Sequence, residues 1–266
     1  MLQELSITKG LTLTTLRSFN RYERWQLESL HSLPRHLFLW VVRGQGRINL
    51  EGQVRGYSAN NAVFVPAGSM HAFDMAPGAI GFALYIDADL DLDLPTDALQ
   101  LRINDASHQA QIASCLDTIQ TEIDSAHPDK EQALYFHSGL FSVWLNRTSS
   151  YYRSQIPKMG KSARLLQSYC RLIEQNLSTG YSVADYADSL GVTTTHLTRV
   201  CNQSCGKSAS ALLSDRQFYE ARQNLRETHH PIKNIAMNLG FRSAAYFSRA
   251  FLNQTGKSPS EFRNMA

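Results

Sequence analysis

Apolar residues follow two different periods along this chain, and the change of period divides it. Up to about Arg102 they come in strand-like patterns. Leu11 to Leu16 alternates with threonine, Leu37 to Val42 is a continuous apolar run, and Arg43-Gly-Gln-Gly46 reads as a turn into a strand over Arg47 to Leu50. Gly52 and Gly56 punctuate, Ala62 to Val65 leads into Pro66-Ala-Gly68, and His71 to Phe73 and Ile80 to Ile86 supply two more strands. Many short antiparallel strands with Gly and Pro turns predict a small barrel or jelly roll. From about Asp105 to Tyr152 the period is helical, with Ile112, Leu116, Ile119 and Ile123 on one stripe and Leu134, Phe141, Trp144 and Leu145 on another. Arg153 to Lys161, with Pro157 and Gly160, reads as a linker, and the remainder is helical. The expectation is an α+β protein: a β-barrel over residues 1–104, helices over 105–152, a linker at 153–161 and an all-α domain over 162–266.

The all-α part contains a repeat. Val183, Ala187, Leu190 and Gly191 correspond to Ile232, Ala236, Leu239 and Gly240. After one extra residue in the second copy, Leu197, Arg199, Gly206, Lys207 and Ser208 correspond to Phe247, Arg249, Gly256, Lys257 and Ser258. Each copy reads as a helix-turn-helix: a short helix with a small alanine where the second helix crosses, a glycine for the tight turn, and then a capped second helix. Thr193 to Thr195 supply the cap chemistry in the first copy and Ser243 in the second. Two copies about 50 residues apart are a strong signal. A helix-turn-helix is the unit that lays a helix in the DNA major groove.

Charge sharpens the division. The net +3 conceals 12 basic against 16 acidic residues in 1–157 and 14 against 7 in 158–266, which fits phosphate-backbone binding by the C-terminal half only. No run of about 18 apolar residues appears, and the N-terminus lacks a basic-then-apolar signal segment, so a cytoplasmic protein with no membrane partner is expected. Cys115, Cys170, Cys201 and Cys205 form no CxxC pair, and a metal site from His196, Cys201 and Cys205 matches no common zinc spacing. The run Asp87 to Leu94 alternates Asp with Leu, as an edge segment with one wet face would, rather than a cation site.

Residues 162–264 resemble the DNA-binding domain of the AraC/XylS family of transcription regulators. The resemblance spans Leu165, Leu166, Cys170 and Ile173, both repeats, and the connecting stretch Arg216-Gln-Phe-Tyr-Glu-Ala-Arg222 with Leu225. Its most recognisable part is Gly240-Phe241, Tyr246-Phe-Ser-Arg-Ala-Phe251 and Gly256-Lys-Ser-Pro259. Ala209 stands where the family often has Pro, and Cys201 where it often has Phe. The first block resembles the family's cupin-like sensory domain through Gly44-Gln-Gly46 and Pro66-Ala-Gly68-Ser-Met-His71.

The resemblance implies that each second helix enters a major groove, with the connecting helix holding the pair about one helical turn apart. Thr195, Thr198 and Arg199, and Ala245, Ser248 and Arg249, stand where family members reach bases, with His196 and Tyr246 on the same helices; an arginine can donate two bonds to a guanine. A salt bridge or phosphate clamp is the competing role for each arginine. Thr194, Ser243, Lys207 and Lys257 are candidates for phosphates, which position without reading sequence.

In the first block the family's role implies a small-molecule effector. Its identity is open. Arg17, His36, Phe38, Trp40, His71, Phe73 and Tyr85 are the candidate lining residues, with Arg17 or Arg35 able to pair an acidic ligand, although core packing competes for each aromatic. Enzymatic cupins hold a metal with several His and one Glu; here Arg35-His-Leu-Phe-Leu-Trp40 offers no carboxylate, so neither metal nor cofactor is expected. The leading expectation is a non-enzymatic, effector-responsive transcription regulator, an activator that would also engage RNA polymerase, with a homodimer formed through the helices after the barrel. A cupin-type enzyme fused to a DNA-binding module, and a regulator without effector, are the alternatives.

Overall fold

The computed structural model describes residues 10–155 and 158–265; Pro157 of the expected linker lies outside them. Strands β1 (Leu11–Thr15), β2 (Arg35–Arg43), β3 (Gly46–Leu50), β4 (Gln53–Tyr57), β5 (Asn61–Val65), β6 (His71–Met75), β7 (Ile80–Asp87) and β8 (Leu99–Arg102) make the N-terminal domain, with a short helix α1 (Arg24–Glu28) between β1 and β2. Helices α2 (Ala106–Asp124) and α3 (Lys130–Tyr151) follow.

The strands do not close into a barrel. They form an antiparallel five-stranded sheet in the order β1-β7-β2-β5-β8 and a three-stranded sheet in the order β4-β3-β6. The expected barrel is therefore corrected to two facing sheets: β1 and β8 end one sheet, β4 and β6 end the other, and no strand is shared. The reason lies in β2, β5 and β7, which are apolar on both faces and need cover on both. Leu37, Leu39, Val41, Val63, Val65, Ala83 and Tyr85 face Ile48, Leu50, Tyr57 and Phe73 of the smaller sheet. The alternate residues Phe38, Trp40, Ala62, Phe64, Leu84 and Ile86 pack against Ile112, Leu116, Ile119, Leu134, Phe141 and Leu145 of α2 and α3. The layers thus run small sheet, large sheet, helix pair. Leu90, Leu92 and Leu94 turn inward onto the second of these cores while Asp89, Asp91 and Asp93 stay exposed.

The C-terminal domain consists of α4 (Lys161–Asn176), α5 (Val183–Ser189), α6 (Thr194–Cys205), α7 (Ala209–Glu227), α8 (Ile232–Asn238), α9 (Ala244–Thr255) and α10 (Pro259–Arg263). The two repeats match element for element: α5 and α8 have 7 residues each, α6 and α9 have 12. Both α6 and α9 end on a left-handed glycine, Gly206 at φ 71° and Gly256 at φ 76°. Ser208 and Ser258 then cap the next helix.

The units are held to each other as well as to α7. Leu177 packs into the cores of both units, and Gln217 Nε2 of α7 donates to the Leu239 carbonyl at 3.0 Å. Gly240 meets Gly180 so closely that a Cβ on Gly240 would lie 2.6 Å from the Gly180 Cα. Among the described residues no helix is long and apolar enough to cross a membrane.

The glycines Gly191 and Gly240 occupy equivalent turns at φ 66° and 78°, but only Gly240 is crowded. Gly240→Val should destabilise the C-terminal domain by about 2–4 kcal/mol, from left-handed strain in a β-branched residue plus overpacking. Gly191→Ala should cost about 1–2 kcal/mol, from backbone strain alone. Denaturant titration followed by far-UV circular dichroism compares the two, and equal losses would show that the Gly180 contact adds nothing.

Candidate functional site

The outward faces of α6 and α9 form the first candidate surface. The Thr193 hydroxyl accepts from the His196 main-chain N–H at 3.2 Å, and Ser243 accepts from that of Tyr246 at 3.1 Å. Leu197, Val200 and Cys201 are buried in one unit and Phe247 and Phe251 in the other. That packing turns Thr195 and Arg199 outward on α6, and Ala245, Tyr246 and Arg249 outward on α9; Thr198 and Ser248 are half-buried at their edges. The faces are in the same register, each second-copy residue 50 positions after its counterpart.

Other expected contacts are already engaged within the chain. Arg199 Nη2 lies 3.0 Å from His196 Nδ1. Lys207 is ion-paired with Asp215, and Lys257 Nζ sits 2.8 Å from the Met265 sulfur. Thr194 is exposed in the first turn of α6, whereas the Ser243 hydroxyl serves as the cap of α9. Arg242, exposed immediately before that cap, was not anticipated; a basic residue at the mouth of a helix was the available signal.

The second candidate is a cleft between the small sheet, the 19–33 segment and α7. Phe19, Tyr22, Leu27, His31, Phe73 and Tyr85 line it together with His71, and α7 contributes Tyr219, Gln223 and Glu227. Its free volume is about 40 Å³. Of the sequence-predicted residues, His71, Phe73 and Tyr85 meet here. Phe38 and Trp40 do not: with His36 they occupy the alternate positions of β2, and both pack into the core under α2 and α3. The His36 ring lies beside Phe64, its Nδ1 accepting from the Ala67 N–H at 3.1 Å. An unbroken apolar run does not reveal which parity faces which layer. Arg17 lines a separate cavity with Arg43, and Arg35 is paired with Asp87 at 2.5 Å. Among the described residues no Lys or Arg lines the cleft. Among the described residues no group of three His, Cys, Asp or Glu side chains is placed to hold a metal.

His31, absent from the sequence expectations, is brought to His71 by main-chain pairing. Each donates its N–H to the other's carbonyl, at 3.0 and 2.7 Å, which sets the two side chains on one face with ring centroids 4.5 Å apart. Nδ1 of His71 lies 2.9 Å from the Ser69 carbonyl, and Nδ1 of His31 lies 2.9 Å from that of Ser29. Those contacts place the proton on Nδ1 of a neutral ring and leave Nε2 as an acceptor. His71 Nε2 is buried without a partner, at a cost of about 1–3 kcal/mol for an unsatisfied polar group. Burial holds the His71 pKa down at about 4 and lowers that of His31 as well, where the neighbouring His71 adds to the effect.

The cleft lies on an interface between the two domains that is anchored twice. At one end the β3–β4 turn, with Glu51 at φ 49°, abuts α4: Glu51 accepts from Gln167 at 2.6 Å and pairs with Arg171 at 3.2 Å. At the other end the 23–32 segment meets α7. Tyr219 stacks on His31 at 4.4 Å and 9°, and Trp25 meets Tyr219 edge-on at 5.5 Å. Arg222 lies over the Trp25 ring at 5.3 Å, and Arg226 pairs with Glu23 at 2.8 Å. Helix α6 also leans on β4.

Two stacked sheets joined across a narrow cleft to paired helix-turn-helix units define a two-domain helix-turn-helix protein. A family model for a helix-turn-helix domain matches residues 186–265, and one for an AraC-like ligand binding domain matches residues 14–135. The chain belongs to the AraC family. It is 31% identical over 125 residues to the arabinose operon regulatory protein of Escherichia coli (strain K12), across 47% of this chain and 42% of that protein. It is 26% identical over 112 residues to the HTH-type transcriptional activator RhaR of Yersinia pseudotuberculosis, across 42% and 39%. The chain therefore spans less than half the length of these curated relatives. Apo ToxT from Vibrio cholerae aligns over 97% of this chain and 98% of its own, with 15% identity and a TM-score of 0.45.

Because the folded His71 pKa lies below the ordinary 6.5, the unfolded chain binds protons that the folded chain refuses. Stability should be complete above about pH 6.5 and fall as pH drops toward 4, losing about 3 kcal/mol from His71 alone. Thermal denaturation across that window checks this, and His71→Phe should flatten the part of the profile between pH 6.5 and 5.

Proposed function

We propose that this protein is a sequence-specific DNA-binding transcription regulator whose DNA engagement responds to a small molecule held in the cleft between its domains. The observation that carries the reading is the pair of units of equal length, caps and outward register, mounted on one helix. Arg199 and Arg249 serve as base readers, with Thr195, Thr198, Ala245 and Ser248 beside them. Thr194 and Lys257 are phosphate contacts, and so is Lys207 once DNA competes with Asp215. His196 orients Arg199, and Tyr246 flanks Arg249.

The cleft supports the regulatory half of this reading because its walls come from both domains. An effector there contacts the sheets and α7 at once, and α7 carries both units. A ligand shifts an equilibrium only through different affinities for its states; a cleft whose far wall belongs to the moving domain supplies that difference. The protein acts in the cytoplasm, as an activator that also engages RNA polymerase, and no enzymatic step is assigned to it.

Dimerisation belongs to α2 and α3. Tyr135, Phe136, Leu140 and Val143 on α3 are exposed, Leu140 to 64%. A groove between the two helices, lined by Cys115, Leu140 and Trp144 among others, opens beside them. An apolar face of this kind marks an association surface, and a second copy of the chain is its occupant.

Selection of bound duplexes from a random pool by the full chain should recover two short blocks about one helical turn apart; no enrichment, with or without cell-extract metabolites, would overturn the DNA-reading function. Arg249→Ala should weaken binding to the recovered site by about 1–3 kcal/mol and relax preference at one position. A uniform loss on all sequences would assign Arg249 to the phosphates. Leu140→Asp should convert a dimer to a monomer in analytical ultracentrifugation, and an unchanged sedimentation coefficient would remove α3 from the interface.

A further inference from the structure

The cleft is too small for an organic effector as it stands. Its free volume of about 40 Å³ holds a few waters, whereas a cavity that accepts benzene measures about 150 Å³. Binding therefore has to displace a wall. Among the described residues, the one aromatic wall that the other domain contributes is Tyr219, whose ring lies flat on His31. Its hydroxyl accepts a long 3.4 Å contact from Gln223 Nε2 on its own helix. The cleft is already occupied, in effect, by a phenol.

The polar groups indicate what could replace it. His71 Nδ1 is committed to the Ser69 carbonyl, and Nε2 is a buried, unpartnered acceptor. His31 is held in the same sense through Ser29. Burial keeps His71 neutral, so this acceptor persists at physiological pH. A ligand that donates an O–H satisfies it, while an ether or a carboxylate brings no donor. A carboxylate would also find no lysine or arginine among the described lining residues.

Resting on the effector reading above, we propose that the cleft binds a neutral hydroxyaromatic molecule whose ring takes the place of Tyr219 on His31 and whose hydroxyl donates to His71 Nε2. Occupancy then separates α7 from the N-terminal domain. Tyr219 is a built-in plug, and the effector competes with it.

The test uses the full chain and three fluorinated probes, 4-fluorophenol, 4-fluoroanisole and 4-fluorobenzoate, followed by fluorine NMR titration. 4-Fluorophenol should bind at least about tenfold more tightly than the other two, and His71→Phe should erase that preference. Tyr219→Ala should tighten phenol binding at least about fivefold by removing the plug, while Tyr219→Phe should leave it near the wild-type value. Tyr219→Leu, which keeps an apolar contact with Trp25, replaces the alanine variant if that does not fold. Small-angle scattering should show a larger radius of gyration with saturating 4-fluorophenol. Equal or better binding of the ether or the carboxylate, or no gain on opening the plug, overturns this inference and leaves the effector site standing. Absence of binding by all three probes to wild type and to the opened variant overturns both, with DNA binding unaffected.

Discussion

Arg216 is a cation buried in the middle of α7, and it has to be neutralised where it sits. It is 5% exposed, and an unpaired charge at such a site would cost several kcal/mol. Glu174 of α4 meets it at 2.6 Å, Glu220 one turn along α7 meets it at 2.9 Å, and Ser32 of the N-terminal domain reaches both Glu174 and the guanidinium. This network ties three parts of the chain to one charge: the first helix of the DNA-binding domain, the helix between its two units, and the segment that borders the cleft. Keeping it satisfied constrains the register of α4 on α7 and the approach of the N-terminal domain to both, beside the apolar packing of α4 on α7.

Around that knot α7 becomes the element on which everything else is mounted. Ala209, Leu212 and Leu213 near its start are buried with the first helix-turn-helix, and Phe218, Ala221 and Leu225 farther along are buried with the second. The face between carries Tyr219, Arg222 and Arg226 toward Trp25, His31 and Glu23. On the proposed reading, coupling between effector and DNA needs no long pathway. The helix that closes the cleft is the helix that spaces the two units, so one rigid-body displacement would be felt by both. The β3–β4 turn on α4 is a second attachment, through Glu51 and Arg171, and would act as the pivot for that displacement.

Much of the fold was legible because it is written in local chemistry. The glycines at 191, 206, 240 and 256 are left-handed, as their place in the repeat suggests, and the caps at Thr193 and Ser243 form where expected. The outward positions of α6 and α9 followed from helical spacing once Leu197 and Phe247 were placed inside. The candidate cleft was only half legible. Phe73, Tyr85 and His71 reach the cleft, but Phe38 and Trp40 lie under the helices, because a strand buried on both faces has no polar side to mark its orientation. The barrel expectation failed for a related reason: strand count and turn spacing say nothing about which edges pair.

The sequence by itself determined the class of protein, through a repeat whose small, apolar and capping residues admit one local geometry each. It also determined the charge division between the halves, which is a matter of composition. Tertiary structure alone decided what the two halves do to each other. His31, Tyr219, Trp25, Arg216 and Glu174 are far apart along the chain and carry no shared motif. They meet because main-chain pairing puts His31 against His71, and because a buried arginine draws α4, α7 and the N-terminal segment together. Contacts of that kind depend on which surfaces face each other after folding, and no local period encodes that.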